Sequence, residues 1–188
     1  MRRSQAAVSI IVLAVLFAVE QACAFQTGGP PTSAGKVKAA GKLSVDKVPA
    51  GSTFKAVVVL SIAEGWHINS HVPTYDYLIA TTLELQQHAG IAFSDVRYPP
   101  GRNMKFGFAS DSLSVYEKTV TIFFTGRTSG RIPTGRINLR AKLEVQACNN
   151  QVCIAPATID VLIPIEIVPA STKPKQINGS VFAPFARE

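Results

Sequence analysis

The sequence predicts an all-β domain, an antiparallel sandwich or barrel, and two observations carry that prediction. Apolar and polar residues alternate with a period of two over several segments, and clusters rich in Gly and Pro separate those segments roughly every ten residues. Beyond the N-terminal run, no stretch carries a sustained helical stripe of apolar residues.

The elements follow in order. Met1-Arg2-Arg3 is a positive start, Ala6 to Val19 is an almost unbroken apolar run, and Ala22-Cys23-Ala24 offers small residues for signal peptidase. That predicts a secretory signal peptide over residues 1–24, cut before Phe25. The run is shorter than the ~20 residues a spanning helix needs, and no later stretch is long enough. Glu20 and Gln21 stand where a lipoprotein site has an aliphatic and a small residue, which argues against lipidation at Cys23. The mature chain is therefore expected in the periplasm or secreted, with no integral membrane segment after cleavage.

Residues 25–40 read as a flexible leader, because Gly, Pro, Thr and Ser dominate its first part. Residues 41–168 read as one domain with its own core. Within it Phe54 to Ile62 is rich in valine, and Leu78 to Leu85 alternates. Ile91 to Tyr98 ends at the breaker Pro99-Pro100-Gly101, and Leu113 to Phe124 is β-branched and aromatic. Leu139, Ala141, Leu143, Val145 and Ala147 share one face of the next run, opposite Arg140, Lys142, Glu144 and Gln146. Ile159, Val161, Ile163, Ile165 and Ile167 alternate in the last, where Pro164 predicts an edge strand or a bulge. Residues 169–188 read as a flexible tail, although Val181-Phe182-Ala183-Pro184-Phe185 is apolar enough to dock. An immunoglobulin-like antiparallel β-sandwich is the first reading of this pattern and a barrel the second.

Loss of residues 1–24 removes Arg2, Arg3 and Glu20, leaving 17 basic and 11 acidic side chains, a net charge of about +6. With no recognition motif and an exported chain, nucleic acid is not expected as a partner. Cleavage also takes Cys23, so the three cysteines become the pair Cys148 and Cys153. In an oxidising compartment such a pair is able to form a disulfide. Continuing the alternation from Leu139 places Cys148 on the exposed face at the strand end. Asn149-Asn150-Gln151-Val152 then makes a polar turn, and Cys153 opens the return. Closing so small a loop stabilises a fold by only ~2 kcal/mol, against nearly 5 for a loop of about 100 residues. A structural disulfide, redox exchange and metal binding all remain open on the spacing alone.

His67, His71 and Met104 invite a metal reading. On a strand, however, residues four apart lie ~13 Å from each other, and no metal or cofactor is expected here. Trp66 reads as a core or sheet-edge anchor. Tyr75, Tyr77 and Tyr116 fit a recognition surface or partial burial equally. No nucleophile elbow or phosphate loop is present.

The string from Val145 through Cys148, Cys153 and Pro156 to Thr158 resembles the active-site hairpin of a bacterial family. This is the N-terminal periplasmic domain of the DsbD-type thiol:disulfide interchange reductases. Gly65-Trp66-His67-Ile68-Asn69-Ser70, Val96 to Gly101 and Val115-Tyr116-Glu117 follow the family's order, so the resemblance covers Lys42 to Val168. It implies an immunoglobulin-like sandwich that takes electrons from a membrane-embedded reductase and passes them to thioredoxin-fold proteins of the periplasm. Cys153 would be the attacking thiolate and Cys148 the resolving thiol. The family's aromatic cap falls on Asn103 to Phe108, with Phe106 the first candidate and Phe108 the alternative. The spacing Cys-x4-Cys departs from members with an extra residue between the cysteines. The family's membrane segment and terminal thioredoxin-like domain are not in this sequence, which implies a separate reductase. An exported binding module with a structural loop disulfide is the reading from another class.

Overall fold

A computed structural model of the protein describes residues 31–185. The expected signal peptide lies outside the described residues. None of the described helices is long and apolar enough to cross a membrane.

Twelve strands account for the described fold: β1 (Val37–Leu43), β2 (Val48–Pro49), β3 (Thr53–Ile62), β4 (His67–Asn69), β5 (Thr82–Leu85), β6 (Ile91–Arg97), β7 (Arg102–Met104), β8 (Leu113–Glu117), β9 (Thr119–Thr128), β10 (Gly135–Val145), β11 (Ala147–Cys148) and β12 (Ala157–Val168). They form sheets ordered β1-β3-β9-β6, β2-β12-β10-β5 and β11-β4-β8-β7, antiparallel except for the short β12–β2 pairing. The first two face each other across one apolar core, an immunoglobulin-like sandwich. Phe54, Ala56, Val58, Leu60, Ile122 and Phe124 enter that core from one side. Leu139, Ala141, Leu143, Val145, Val161, Ile163, Ile165 and Ile167 enter from the other. Every second residue is buried because successive side chains of a strand point to opposite faces. The sheets approach closely at Gly41, where an added Cβ would lie 2.3 Å from Ile163 Cγ1.

The third sheet is made of strand ends that leave the sandwich. The run from Leu113 divides into β8 and β9 at Lys118, whose φ of 59° turns the backbone. The run from Gly135 changes partner at Gln146, so that β10 pairs with β12 while β11 pairs with β4. The expected strand over Leu78 to Leu85 shortens to Thr82–Leu85. Pro164 stands opposite Asn138 of β10, and β2 joins the other side of β12 only at Ile167 and Val168. At Pro164 the strand is thus an edge, where a residue without an N–H is tolerated.

Among the described residues, parts of both segments read as flexible carry regular structure. Within the leader, Ser33–Gly35 forms a 3-10 turn and Val37–Leu43 is β1, paired along its length with β3. The alanines and lysines of that segment alternate in burial once β3 lies beside them, a pattern too weakly apolar to announce a strand. The tail is also held. Lys175 N donates to Asp46 Oδ1, Ile177 N to Ser44 O and Asn178 Nδ2 to Leu43 O. A helical turn over Gly179–Phe182 then lays Phe182 against Val57 and Phe123, on the sheet face turned away from the main core. Phe185 stacks on Phe123 with ring centroids 4.9 Å apart.

Candidate functional site

Cys148 and Cys153 are joined by a disulfide, with Cα atoms 4.0 Å apart and facing each other as an antiparallel bridge. The turn between them closes by local chemistry. Asn149 N donates to Val152 O at 2.9 Å, and Asn149 Oδ1 accepts from the N–H groups of Gln151 and Val152, both at 2.8 Å. This is the usual service of an asparagine side chain in a turn, a short acceptor reaching the backbone two and three residues on. Ile154 N donates to Ala147 O, tying the two arms just behind the sulfurs.

The two sulfurs occupy different environments. Cys153 is exposed on the returning arm, whereas Cys148 is only 1 % exposed. The expectation of an exposed Cys148 is therefore corrected. Its alternation phase is right, since Ala147 faces the main core, but the opposite face is covered at this end of the molecule. Register explains the cover: Cys148 of β11 lies opposite His67 of β4, which lies opposite Glu117 of β8. Opposed residues on neighbouring strands share a face. The His67 ring stacks on Phe106 at 4.0 Å between centroids, and Phe106 stacks on Phe108 at 5.6 Å.

Phe106 sits in the loop between β7 and β8 and is buried with Leu113 and Val115, flanked by Tyr75, Leu78, Met104 and Ala109. Phe108, the alternative cap candidate, is 46 % exposed. The structure thus brings Phe106 to the face that carries Cys148, with His67 between, and leaves Phe108 stacked outside it.

His67 is 2 % exposed, and its Nε2 has no hydrogen-bond partner among the described residues. Burial lowers its pKa from the ordinary 6.5 to about 4, so the imidazole is neutral at physiological pH. His71 is committed elsewhere. Its Nδ1 pairs with Thr81 O at 3.0 Å, and its ring stacks on Tyr98 at 3.6 Å. Among the described residues no group of three or more His, Cys, Asp or Glu side chains is placed to hold a metal. Tyr116 is buried, donating its hydroxyl to Pro99 O, and Tyr77 is exposed and stacked on Tyr75. Trp66 is partly buried against the core with Lys36 Nζ 4.6 Å from its ring centroid.

Sequence reasoning missed Ser33. Its Oγ donates to Ala155 O at 2.7 Å and accepts from Ala147 N at 2.8 Å, while its own N–H donates to Ala155 O. One hydroxyl therefore clamps the residue before Cys148 to the arm that follows Cys153. Nothing local in a Gly/Pro/Thr/Ser segment signals such a contact. His67 was visible as a histidine in the family-like Gly65–Ser70 segment, but its place beside Cys148 depends on strand register.

The site is thus a disulfide held across a hairpin of a small all-β domain, one cysteine exposed and the other buried. The chain belongs to the family described as thiol:disulfide interchange protein DsbD, N-terminal, which it matches over residues 35–164. No curated protein matches it. Among solved structures it is similar to the N-terminal periplasmic domain of ScsB from Proteus mirabilis, at 17% identity and a TM-score of 0.45, covering 70% of this chain and 46% of that one. It thus spans less than half of that solved chain. A family 123 glycoside hydrolase from Clostridium perfringens matches at 13% identity and a TM-score of 0.32, covering 71% of this chain and 27% of the hydrolase. The Bacillus cereus major pilin subunit BcpA, in its D312A form, matches at 11% identity and 0.35, covering 71% and 40%.

Proposed function

We propose that the domain relays two electrons through Cys148 and Cys153, from a membrane-embedded reductase to thioredoxin-fold proteins of the periplasm. The observation that carries this reading is the asymmetry of the pair. An attackable sulfur has to meet a partner, and Cys153 is exposed at the hairpin tip. A resolving thiol has to stay beside the first sulfur and out of the partner's way, and Cys148 is buried next to it.

On loading, a donor thiolate attacks Cys153 Sγ, the intramolecular disulfide breaks, and Cys148 leaves as a thiolate that takes up a proton. The donor's second thiol then releases a dithiol domain. On delivery, the Cys153 thiolate attacks the acceptor's disulfide and one acceptor sulfur departs. Cys148, losing its proton, then attacks Cys153 Sγ, reforming the disulfide and freeing the acceptor dithiol. Phe106 serves as a cap over His67 on the Cys148 side of the pair, with Phe108 at its outer edge, while Cys153 stays open to partners.

Replacing Cys153 by serine is expected to abolish exchange with a thioredoxin-fold dithiol, and exchange at the wild-type rate would refute the relay. Cys148→Ser is expected instead to accumulate a mixed disulfide on Cys153, visible as a mass adduct. A reduction potential below about −300 mV would assign the bond to a structural staple.

A further inference from the structure

The row Cys148, His67, Glu117 across β11, β4 and β8 contains a group that the relay chemistry leaves unused. The imidazole of His67 is buried, flanked by Cys148 and Glu117 within the sheet and covered on its ring face by Phe106. Its Nε2 is unpartnered among the described residues. Such atoms are rare in folded proteins because they lose their water without replacement. Nearby polar groups are already engaged, for Asn69 Nδ2 donates to Ile79 O and lies 3.3 Å from Gln146 Oε1. Glu117 is the one charged side chain in the row and reaches solvent.

A neutral imidazole has one nitrogen that donates and one that accepts. While the disulfide is closed, Cys148 Sγ has no hydrogen to offer an acceptor. After reduction it becomes a thiol, a donor on the neighbouring strand and on the same sheet face.

We propose that His67 is a positioning residue whose Nε2 accepts a hydrogen bond from the Cys148 thiol only in the dithiol state, raising the reduction potential of the pair. The inference rests on the relay reading. The balance is simple. The S–S bond breaks, two electrons arrive from the incoming dithiol, one proton goes to Cys153 Sγ and one to Cys148 Sγ, where it points at Nε2. Reduction thus satisfies an atom that oxidation leaves without a partner. An interaction made in one state only shifts the equilibrium toward that state. When Cys148 later attacks Cys153, the same nitrogen lies next to the proton that must leave.

The test is redox titration of the full chain against glutathione, comparing wild type with His67→Phe. Phenylalanine keeps an aromatic ring for Phe106 to stack on and removes the acceptor. The variant is expected to favour the disulfide about tenfold more than wild type, a potential lower by about 30 mV. Equal potentials would overturn the proposal. A second measurement needs no variant: the 15N resonance of His67 Nε2 should move between the oxidised and reduced wild-type protein, with the ring neutral in both. An unmoved resonance would overturn it too, and this decides the matter if His67→Phe does not fold. Failure of the relay itself reads differently, as a pair that equilibrates with glutathione but exchanges with no thioredoxin-fold dithiol.

Discussion

Ser33 holds the arms of the cysteine hairpin with a single hydroxyl, and its loss has a calculable consequence. In Ser33→Ala the buried Ala147 N–H has no acceptor, which costs about 1–3 kcal/mol. Urea unfolding should report that loss, and amide exchange at Ala147 should quicken more than exchange in β3. Phe106→Ala is expected to speed reduction of the disulfide by dithiothreitol several-fold, because the covered face opens. Phe108→Ala should change that rate far less, since Phe108 is 46 % exposed and Phe106 is buried. Stopped-flow reduction of the two variants separates these outcomes. The cysteine pair was legible in the sequence because two cysteines stand close together with a polar turn between them. Ser33 was not, because a serine among Gly, Pro and Thr has no periodic context, and its partners lie 114 and 122 residues away.

Elements differ in how much of themselves they write into sequence. The long strands β3, β10 and β12 bury alternate residues over enough length for the period to be read, and their core faces agree with it. Strands β2, β4, β7 and β11 have two or three residues each, too few for any period, and they exist because longer strands supply partners. The site sheet contains three of these four, so the chemistry's surroundings were harder to foresee than the core. Cys148 illustrates the point, for its phase was correct, yet it is buried beside His67 of β4, a neighbour that alternation does not show. Where β1 crosses β12, Gly41→Ala would press a methyl group into Ile163, and destabilisation of about 1–3 kcal/mol is expected in thermal or urea unfolding. The C-terminal turn offers the complementary case. Phe182→Ala should cost roughly 2–4 kcal/mol and expose Val57 and Phe123 to a hydrophobic dye, without altering the reduction potential of a pair on another sheet.

At the scale of the molecule, acid acts through the buried imidazole. Folding lowers the His67 pKa from 6.5 to about 4, so the unfolded chain binds the extra proton between those values. Stability is therefore full above pH 6.5 and falls as the pH drops toward 4, by roughly 3 kcal/mol from this residue alone. Asp95, whose carboxyl Arg97 holds below its ordinary value, works in the same direction at lower pH. Urea midpoints measured across pH 4–7 should show the slope, and His67→Phe should flatten it. The choice of sandwich over barrel was also a whole-molecule matter, made by which strands pair, and alternation alone leaves both open. The hairpin and its clamp differ most in how far apart their partners start. The cysteines stand 5 positions apart in sequence, whereas Ser33 and Ala147 stand 114 apart. Short loops close early and distant contacts wait for the chain to gather. An oxidised pair is thus no certificate of a finished domain: the bond can be made while the chain is still open, and the grip that seats it arrives with the last of the architecture.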